Sequence, residues 1–475
     1  MGPKPFSNSD VTTFSTELLA KTAELSEPIT GQIDVYDAIA RAIKYNADIK
    51  AGELEVTVEN AKLRAQNASL LPDIVADSSY YGRGQKNASY STLSPSYGAS
   101  SDLALSWNIL DFGLSYVRAV QAGDKALYRG EDYRKAVSKV AADTRAAYWR
   151  AVAAHRLTQR IAELQKDIES ALAASQAQSK DSRLDPVVAL NYGRDLLNEK
   201  RELNLLVSGL AGADAQLKQL INVPQSQNLQ LKHTHETEAH LSKMASPADS
   251  VRVALENRSE VRQLMYQQRI TSDEVYASVL QALPGIGLNG GLAGDSLSVL
   301  SNGNWVAWGA KAAWSLMNLL RLPVTLDVVE TQKDALRQQA VAVAVTIAMQ
   351  TYISRAQCGM LRVVSKDADT YYKVQQQIER QAKIAAGLGQ GSKQALTRER
   401  LSTLLAQIRS LLAYADLQNA HGIYQSTLGI DPVDVDFVRN ATAVDIAAKL
   451  RDTPNSTPGS VQDERKAAQQ TAGLQ

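Results

Sequence analysis

The stretch LSWNILDFG, Leu105–Gly113, changes period without a linker. Leu105, Trp107 and Ile109 alternate with Ser106, Asn108 and Leu110, close to the period of a strand with one apolar face. Past Asp111-Phe112-Gly113 the composition favours helix, and no proline occurs until Pro186. A strand that feeds directly into so long a helix is unusual for compact domains, whose helices average about 10–14 residues.

Working outward, Ser101 to Leu110 puts Leu103, Leu105, Trp107 and Ile109 on one face and Asp102, Ala104, Ser106 and Asn108 on the other. Trp308 to Leu316 repeats the pattern, with Trp308, Ala310, Ala312, Trp314 and Leu316 opposite Gly309, Lys311, Ala313 and Ser315. Before each lies a further strand-like segment, PDIVADSSYYGRG from Pro72 and PGIGLNGGLAG from Pro284, followed by a loop rich in Ser, Asn and Gly.

The two sets belong to an internal repeat. AIKYNADI (Ala42–Ile49) matches ALENRSEV (Ala254–Val261), and Pro72 matches Pro284, both at a spacing of 212. Trp107 then matches Trp314, and Asn222 matches Gly429, both at a spacing of 207. Four landmarks in order, with one loop shortened by five residues, read as a duplication. Each copy is expected to run as a helix of about 35 residues, two strands, a very long helix, a break, and a second helix of about 35 residues.

Alternation by itself also fits a soluble sheet with one face on a core. Four strands cannot cover themselves, and long narrow helices do not cap them. The remaining solution is a closed barrel, apolar outside and polar within, assembled from several chains. Tyr80, Tyr81, Tyr97, Trp107, Trp305, Trp308 and Trp314 would then supply interfacial aromatic belts. No window nears eighteen uninterrupted apolar residues, which excludes a transmembrane helix. Barrel strands need only ~10 residues of alternating character.

The helices point to reach. In VSKVAADTRAAYWRAV, Val137, Val140, Ala141, Thr144, Tyr148 and Val152 fall near one stripe at coiled-coil spacing. A helix of ~65 residues would extend about 100 Å. It should stop near SKDSRLDPVVAL, where Asp185 is the N-cap and Pro186 the first helical residue of the next helix. The counterpart is GLGQGSKQAL, with Ser392 as cap and Gly387, Gly389 and Gly391 for the reversal. The order Gly-Ser-Lys and the lack of a preceding strand argue against a phosphate loop there.

Lysine plus arginine (51) nearly balance aspartate plus glutamate (50), which argues against a nucleic-acid partner. The single cysteine, Cys358, permits no intramolecular disulfide and reads as a small buried side chain. His233, His235 and His240 lack a ligand spacing and read as a solvated segment, so no metal or other cofactor is expected. No triad, phosphate loop or HExxH motif is present, so the chain is not expected to be an enzyme.

The ordered set NADI, LLPDI, LSWNILDFG, SRLDPVVAL, LINVP, repeated as RSEV, ALPGI, AAWSLM, GQGSKQAL, TLGIDP, resembles the TolC-type outer membrane efflux protein family over about residues 34–432. The resemblance implies a homotrimer, with four strands per chain forming a twelve-stranded transmembrane β-barrel continued by an α-helical barrel across the periplasm. It implies docking of a periplasmic adaptor (membrane fusion) protein and an inner-membrane transporter at the far tip. Such a chain would sit in the outer membrane lipid of a Gram-negative bacterium and export substrates as the exit duct of a tripartite efflux pump. A type I protein secretion system uses a similar duct, and a soluble coiled-coil scaffold is the remaining alternative.

On this frame, residues 1–33 are a polar segment, 34–222 the first repeat, 223–246 a linker, 247–432 the second repeat, and 433–475 a C-terminal segment disordered beyond about 452. Strands are expected at about 72–84, 97–110, 284–294 and 304–317, with helical turns near 180–186 and 387–392. MGPKPFSNSD carries no signal segment, so that segment and any lipid-anchor cysteine are expected to be absent from this chain. Leu103, Leu105, Trp107, Ile109, Trp308 and Trp314 are the expected lipid-facing residues, and Arg183, Leu184, Asp185, Pro186, Gly389, Gly391 and Ser392 the expected adaptor-docking tip.

Two departures from the family pattern stand out. Asn318-Leu319-Leu320 replaces Asp111-Phe112-Gly113, so Gly113 would ease the first strand-to-helix turn while Pro323 starts the second long helix. The acidic residues that the family often places inside the tip do not carry over, because KQALTRERL sets a lone Glu399 against Lys393, Arg398 and Arg400. Arg398 and Arg400 are the candidate constriction residues instead, Arg398 foremost.

Overall fold

Short polar residues set many of the helix boundaries. The computed structural model describes residues 5–24, 29, 31–82, 97–180, 186–232, 244–296, 302–390 and 392–452. Helix α1 spans Asn8–Glu24, strand β1 Gln32–Ile33, α2 Val35–Tyr45 and α3 Ala47–Ala68. Strands β2 (Asp73–Gly82) and β3 (Tyr97–Asn108) follow, then α4 (Ile109–Gln178), α5 (Pro186–Leu210), α6 (Ala213–Leu220) and β4 (Gln230–Leu231). The second copy runs as α7 (Pro247–Asn257), α8 (Ser259–Ala282), β5 (Gly285–Asp295), β6 (Asn304–Ala313), α9 (Leu316–Gly387) and α10 (Lys393–Thr427). Helices α11 (Val435–Asn440) and α12 (Ala443–Asp452) close the described chain.

The duplication is visible in the element starts. Helices α2 and α7 begin at Val35 and Pro247, and β2 and β5 at Asp73 and Gly285, each 212 residues apart. Helices α4 and α9 begin at Ile109 and Leu316, and α5 and α10 at Pro186 and Lys393, each 207 apart. The backbone repeats as well. Asn222 and Gly429 both take positive φ, 51° and 69°. Each ends its helix in a Schellman motif, closed by Val223 N–H on Lys218 O (2.9 Å) and Ile430 N–H on Gln425 O (3.2 Å).

Four expectations give way to local chemistry. The opening helix of each copy is broken in two. Asn46 ends α2, and its Oδ1 accepts from the Asp48 and Ile49 amides to cap α3, while Arg258 makes the matching break in the second copy. In the first copy the last helix is also broken, where Gly212 takes φ 83° between α5 and α6; α10 runs its 35 residues unbroken. Strand β3 ends at Asn108 and β6 at Ala313, short of the expected 110 and 317. Gly113 lies inside α4, where a Cβ would stand 3.7 Å from the Leu280 side chain, and Pro323 lies inside α9, which starts seven residues earlier.

The chain forms two compact units. One comprises Glu53–Asp132 and Glu260–Val343 and holds the sheet, in the order β2-β3-β5-β6, all antiparallel. There α4 is laced to α8 by polar bonds. Arg118 grips Glu274 at 2.6 and 3.0 Å, Arg269 binds Asp124, and Gln263 donates to Asp132 at 2.6 Å.

The other unit comprises Met1–Gly52, Tyr133–Ser259 and Ala344–Gln475. Its seam joins Leu157, Leu164 and Ile168 of α4 to Leu196, Leu203 and Leu210 of α5 and to Leu401, Leu404 and Ile408 of α10. The α5 residues Ala189, Leu196, Leu203 and Leu210 recur every seven positions, the spacing of a coiled-coil seam. The stripe from Val137 to Val152 is buried, but α4 is buried all round from Thr144 to Trp149. A two-stranded parallel sheet, β1 on β4, helps to cover it. The Tyr148 hydroxyl reaches the carbonyls of Ile33 in β1 and of Lys232, just past β4, at 3.1 and 2.8 Å.

Gly429→Ala is expected to lower stability by about 1–3 kcal/mol, because a Cβ there would stand 2.7 Å from the Asn257 carbonyl carbon on a left-handed backbone. Asn222→Gly, at the matching position, should be nearly neutral. Thermal melting of the two variants checks the pair.

Candidate functional site

Two places draw chemistry together: the sheet, and the turns between the long helices. Antiparallel partners share a face, so the register assigns every side chain of the sheet. Ile74 pairs with Leu105, Leu105 with Gly290 and Gly290 with Trp308; Leu103 pairs with Leu292 and Leu292 with Val306; Trp107 pairs with Leu288. All the large apolar residues of these rows are exposed. The opposite face carries Asp73, Ser106, Asn289 and Gly309 in one row and Asp77, Asp102, Ala293 and Trp305 in another. Leu103, Leu105, Trp107 and Trp308 therefore share the apolar face.

Trp314 follows β6, and its indole N–H donates to the Ala282 carbonyl at 2.9 Å, the last residue of α8. Tyr81 and Trp305 fall on the polar face, so the expected aromatic belts draw on only part of the set. The Ile109 side chain lies outside the described residues. Among the described residues no helix is long and apolar enough to cross a membrane.

At the turns, Gly389 takes φ 74° and closes α9 in a third Schellman motif, with Gln390 N–H on Ala385 O at 2.9 Å. Ser392 caps α10 by accepting from the Ala395 amide at 3.0 Å. Pro186 opens α5; Arg183, Leu184, Asp185 and Gly391 lie outside the described residues, as do His233, His235 and His240. The two repeats are tied just beyond these turns. The Tyr192 hydroxyl of α5 donates to the Gln394 carbonyl at 3.1 Å, and Gln394 donates to Gln178 of α4 at 2.7 Å. Among the described residues no group of three or more His, Cys, Asp or Glu is placed to hold a metal ion.

Arg398 and Arg400 diverge, as residues two apart on a helix must. Arg400 pairs with Asp167 of α4, and Arg398 lies 3.7 Å from Glu199 of α5. Arg409 pairs with Glu202, so three arginines of α10 meet acids of the first repeat. Glu399 instead accepts from Gln375 of α9 at 2.8 Å. Sequence reasoning missed these acids because they stand about 200 positions away and carry no motif.

Glu199 is the perturbed member. Burial pushes its carboxyl pKa up, against the pull of Arg398 and the Ser402 hydroxyl, while Glu399 and Asp195 add to the rise. A carboxyl raised in the folded state works against stability when ionised, and that handicap fades as pH falls through the folded pKa. The half-exposed Arg398 offsets little of it. Glu199→Gln should therefore leave the melting temperature unchanged or a degree or two higher at neutral pH, with the difference vanishing in acid. A marked fall at neutral pH would show that the Arg398 pair outweighs burial.

No family model and no curated protein matches the chain. Solved structures do. The CmeC outer membrane channel of Campylobacter jejuni aligns with a TM-score of 0.67 at 16% identity, covering 89% of this chain and 90% of that one. The MtrE outer membrane channel of Neisseria gonorrhoeae, in its open state, aligns at 0.64 and 15%, covering 84% and 89%. CusC, described as forming a transmembrane channel, aligns at 0.62 and 18%, covering 85% and 96%. The chain has the fold of the TolC-type outer membrane channels.

Proposed function

We propose that three copies of the chain assemble into an outer-membrane exit duct for a tripartite efflux pump. One observation carries the reading: the sheet has one exposed apolar face, one polar face, and two open edges at β2 and β6. Strands from three copies would close it into a barrel whose apolar face meets lipid and whose polar face lines water. Leu103, Leu105, Trp107 and Trp308 are the lipid-facing residues, with Trp314 at the rim. The long helices then continue the duct through the periplasm of a Gram-negative cell. Exposed Val345, Met349, Tyr352, Met360, Val363 and Val374 along α9 support contact with neighbouring copies.

The turn residues Pro186, Gly389 and Ser392, with Arg183, Leu184, Asp185 and Gly391, are the docking tip for a periplasmic adaptor that brings an inner-membrane transporter. Arg398, less tightly paired than Arg400, is the constriction residue that faces passing solutes. Transport is passive in this chain, and the transporter supplies the energy.

Placing Arg at Leu105 should cost about 2–4 kcal/mol of membrane stability and deplete folded trimer from the outer membrane, whereas Arg at Ser106 should be nearly silent. Equal behaviour of the two would overturn the barrel, and a chain that stays soluble and monomeric without detergent would overturn the duct.

In planar bilayers under a salt gradient, Arg398→Glu should move the reversal potential toward cation preference. An unchanged potential would remove Arg398 from the constriction while leaving the duct intact.

A further inference from the structure

In the unit that holds α10, the inward stripe of α9 reads Ile347, Thr351, Ser354, Cys358, Arg362 and Ser365, spaced by three and four. All but Arg362 are fully buried. Thr351 and Ser354 turn their hydroxyls back onto the Ile347 and Thr351 carbonyls of their own helix. Arg362 has no such outlet. Its Nε and Nη2 are shut off from solvent and meet no acceptor. On α10, His421 is 7% exposed, and its Nδ1 likewise lacks a partner.

The neighbourhood is cationic. Burial first, and then the charges of Arg145 on α4 and Arg362 on α9, lower the His421 pKa to about 3. Arg145 is itself buried, with its Nη1 3.5 Å from Gln418 Oε1, and a Cβ at Gly422 would touch its Cδ at 3.7 Å. Trp149, one turn along α4, also has a buried indole N–H without a partner. Cys358, one turn before Arg362, supplies no counter-charge, because burial pushes its thiol pKa up. Among the described residues no carboxylate forms an ion pair with Arg362.

We propose that α4, α9 and α10 enclose a binding site for a small inorganic anion of halide size, held by the Arg362 Nε–H and Nη2–H and closed by the His421 Nδ1–H. A half-buried guanidinium with two N–H groups shut off from solvent and no counter-charge is costly, and the orphaned groups here are N–H donors or can become so. Water would satisfy the donors but leave the charge unpaired. The three orphaned nitrogens come from only two side chains, a small donor set that favours a monatomic ion over a bulky one. The anion pins α9 to α10 from inside. The site needs only the helices of one chain and does not depend on the duct reading.

The test is thermal melting of the purified full-length chain at equal ionic strength in sodium chloride, sodium bromide and sodium gluconate, whose anion is too large to enter. Melting should come several degrees higher in the two halides. Arg362→Met, close in length but uncharged, should lose that dependence and melt in gluconate at or above the parent. His421→Gln keeps a donor and should shift the midpoint of a chloride titration severalfold; it decides the matter if Arg362→Met does not fold. Crystals soaked in bromide should show an anomalous peak beside Arg362. Equal melting of the parent in all three salts overturns the proposal, as does a halide dependence that survives in Arg362→Met or an unmoved titration midpoint in His421→Gln. A bromide peak without a melting shift marks an adventitious ion only, and overturns it too.

Discussion

Among the described residues, backbone N–H and C=O groups along the outer edges of β2 and β6 face no further strand, and on one face of the same sheet Leu105, Trp107 and Trp308 stand exposed. In water both features drive association. Among the described residues the large apolar side chains of that face stay exposed. An arrangement of copies that closes the edges and surrounds that face with hydrocarbon answers both demands together, because lipid tolerates apolar side chains but not unpaired backbone. The proposed trimer follows from that constraint more directly than from any single residue.

The duplication explains how so few short signals can specify so long a chain. Asn222 and Gly429 end equivalent helices with the same left-handed residue and the same pair of backbone hydrogen bonds, although one is asparagine and the other glycine. The difference has a cause. A Cβ at Gly429 would run into the Asn257–Arg258 peptide, whereas position 222 carries a half-buried asparagine side chain. The breaks at Asn46 and Arg258 repeat likewise, with matching extended caps reached by different side chains. What the two copies share is therefore backbone geometry, and identity between them can fall low without loss of fold.

The strands and the apolar faces of β3 and β6 were legible because alternation is local and every second residue reports on one face, whereas the pairing register was not. The caps at Ser392 and Gly389 were legible for the same reason: serine and glycine act on their own turn. Other features left no local trace. The β1–β4 pair joins two residues to two residues across some two hundred positions, too short to show a period. Gly113 and Pro323 misled, since a glycine or proline beside a strand end reads as a turn. Both are instead carried within their helices, the glycine in α4 and the proline in α9. The acids that meet Arg398, Arg400 and Arg409 belong to the other repeat, and only the folded chain brings them together.

Those charge pairs have a physical logic of their own. The seam of α4, α5 and α10 is built from leucines at coiled-coil spacing, whose contacts are non-directional and allow sliding. Directional links stand on its flanks, Arg400 on Asp167, Arg409 on Glu202 and Tyr192 on the Gln394 carbonyl, with one inside, where buried Ser175 of α4 donates to the Ala189 carbonyl of α5 at 2.6 Å. Exposed pairs of this kind are each worth about 0–1 kcal/mol, so they select one register without locking it. Glu199, destabilised by burial and only loosely met by Arg398, is the weakest link in the set. The register of such a bundle rests on many small terms rather than on one strong link.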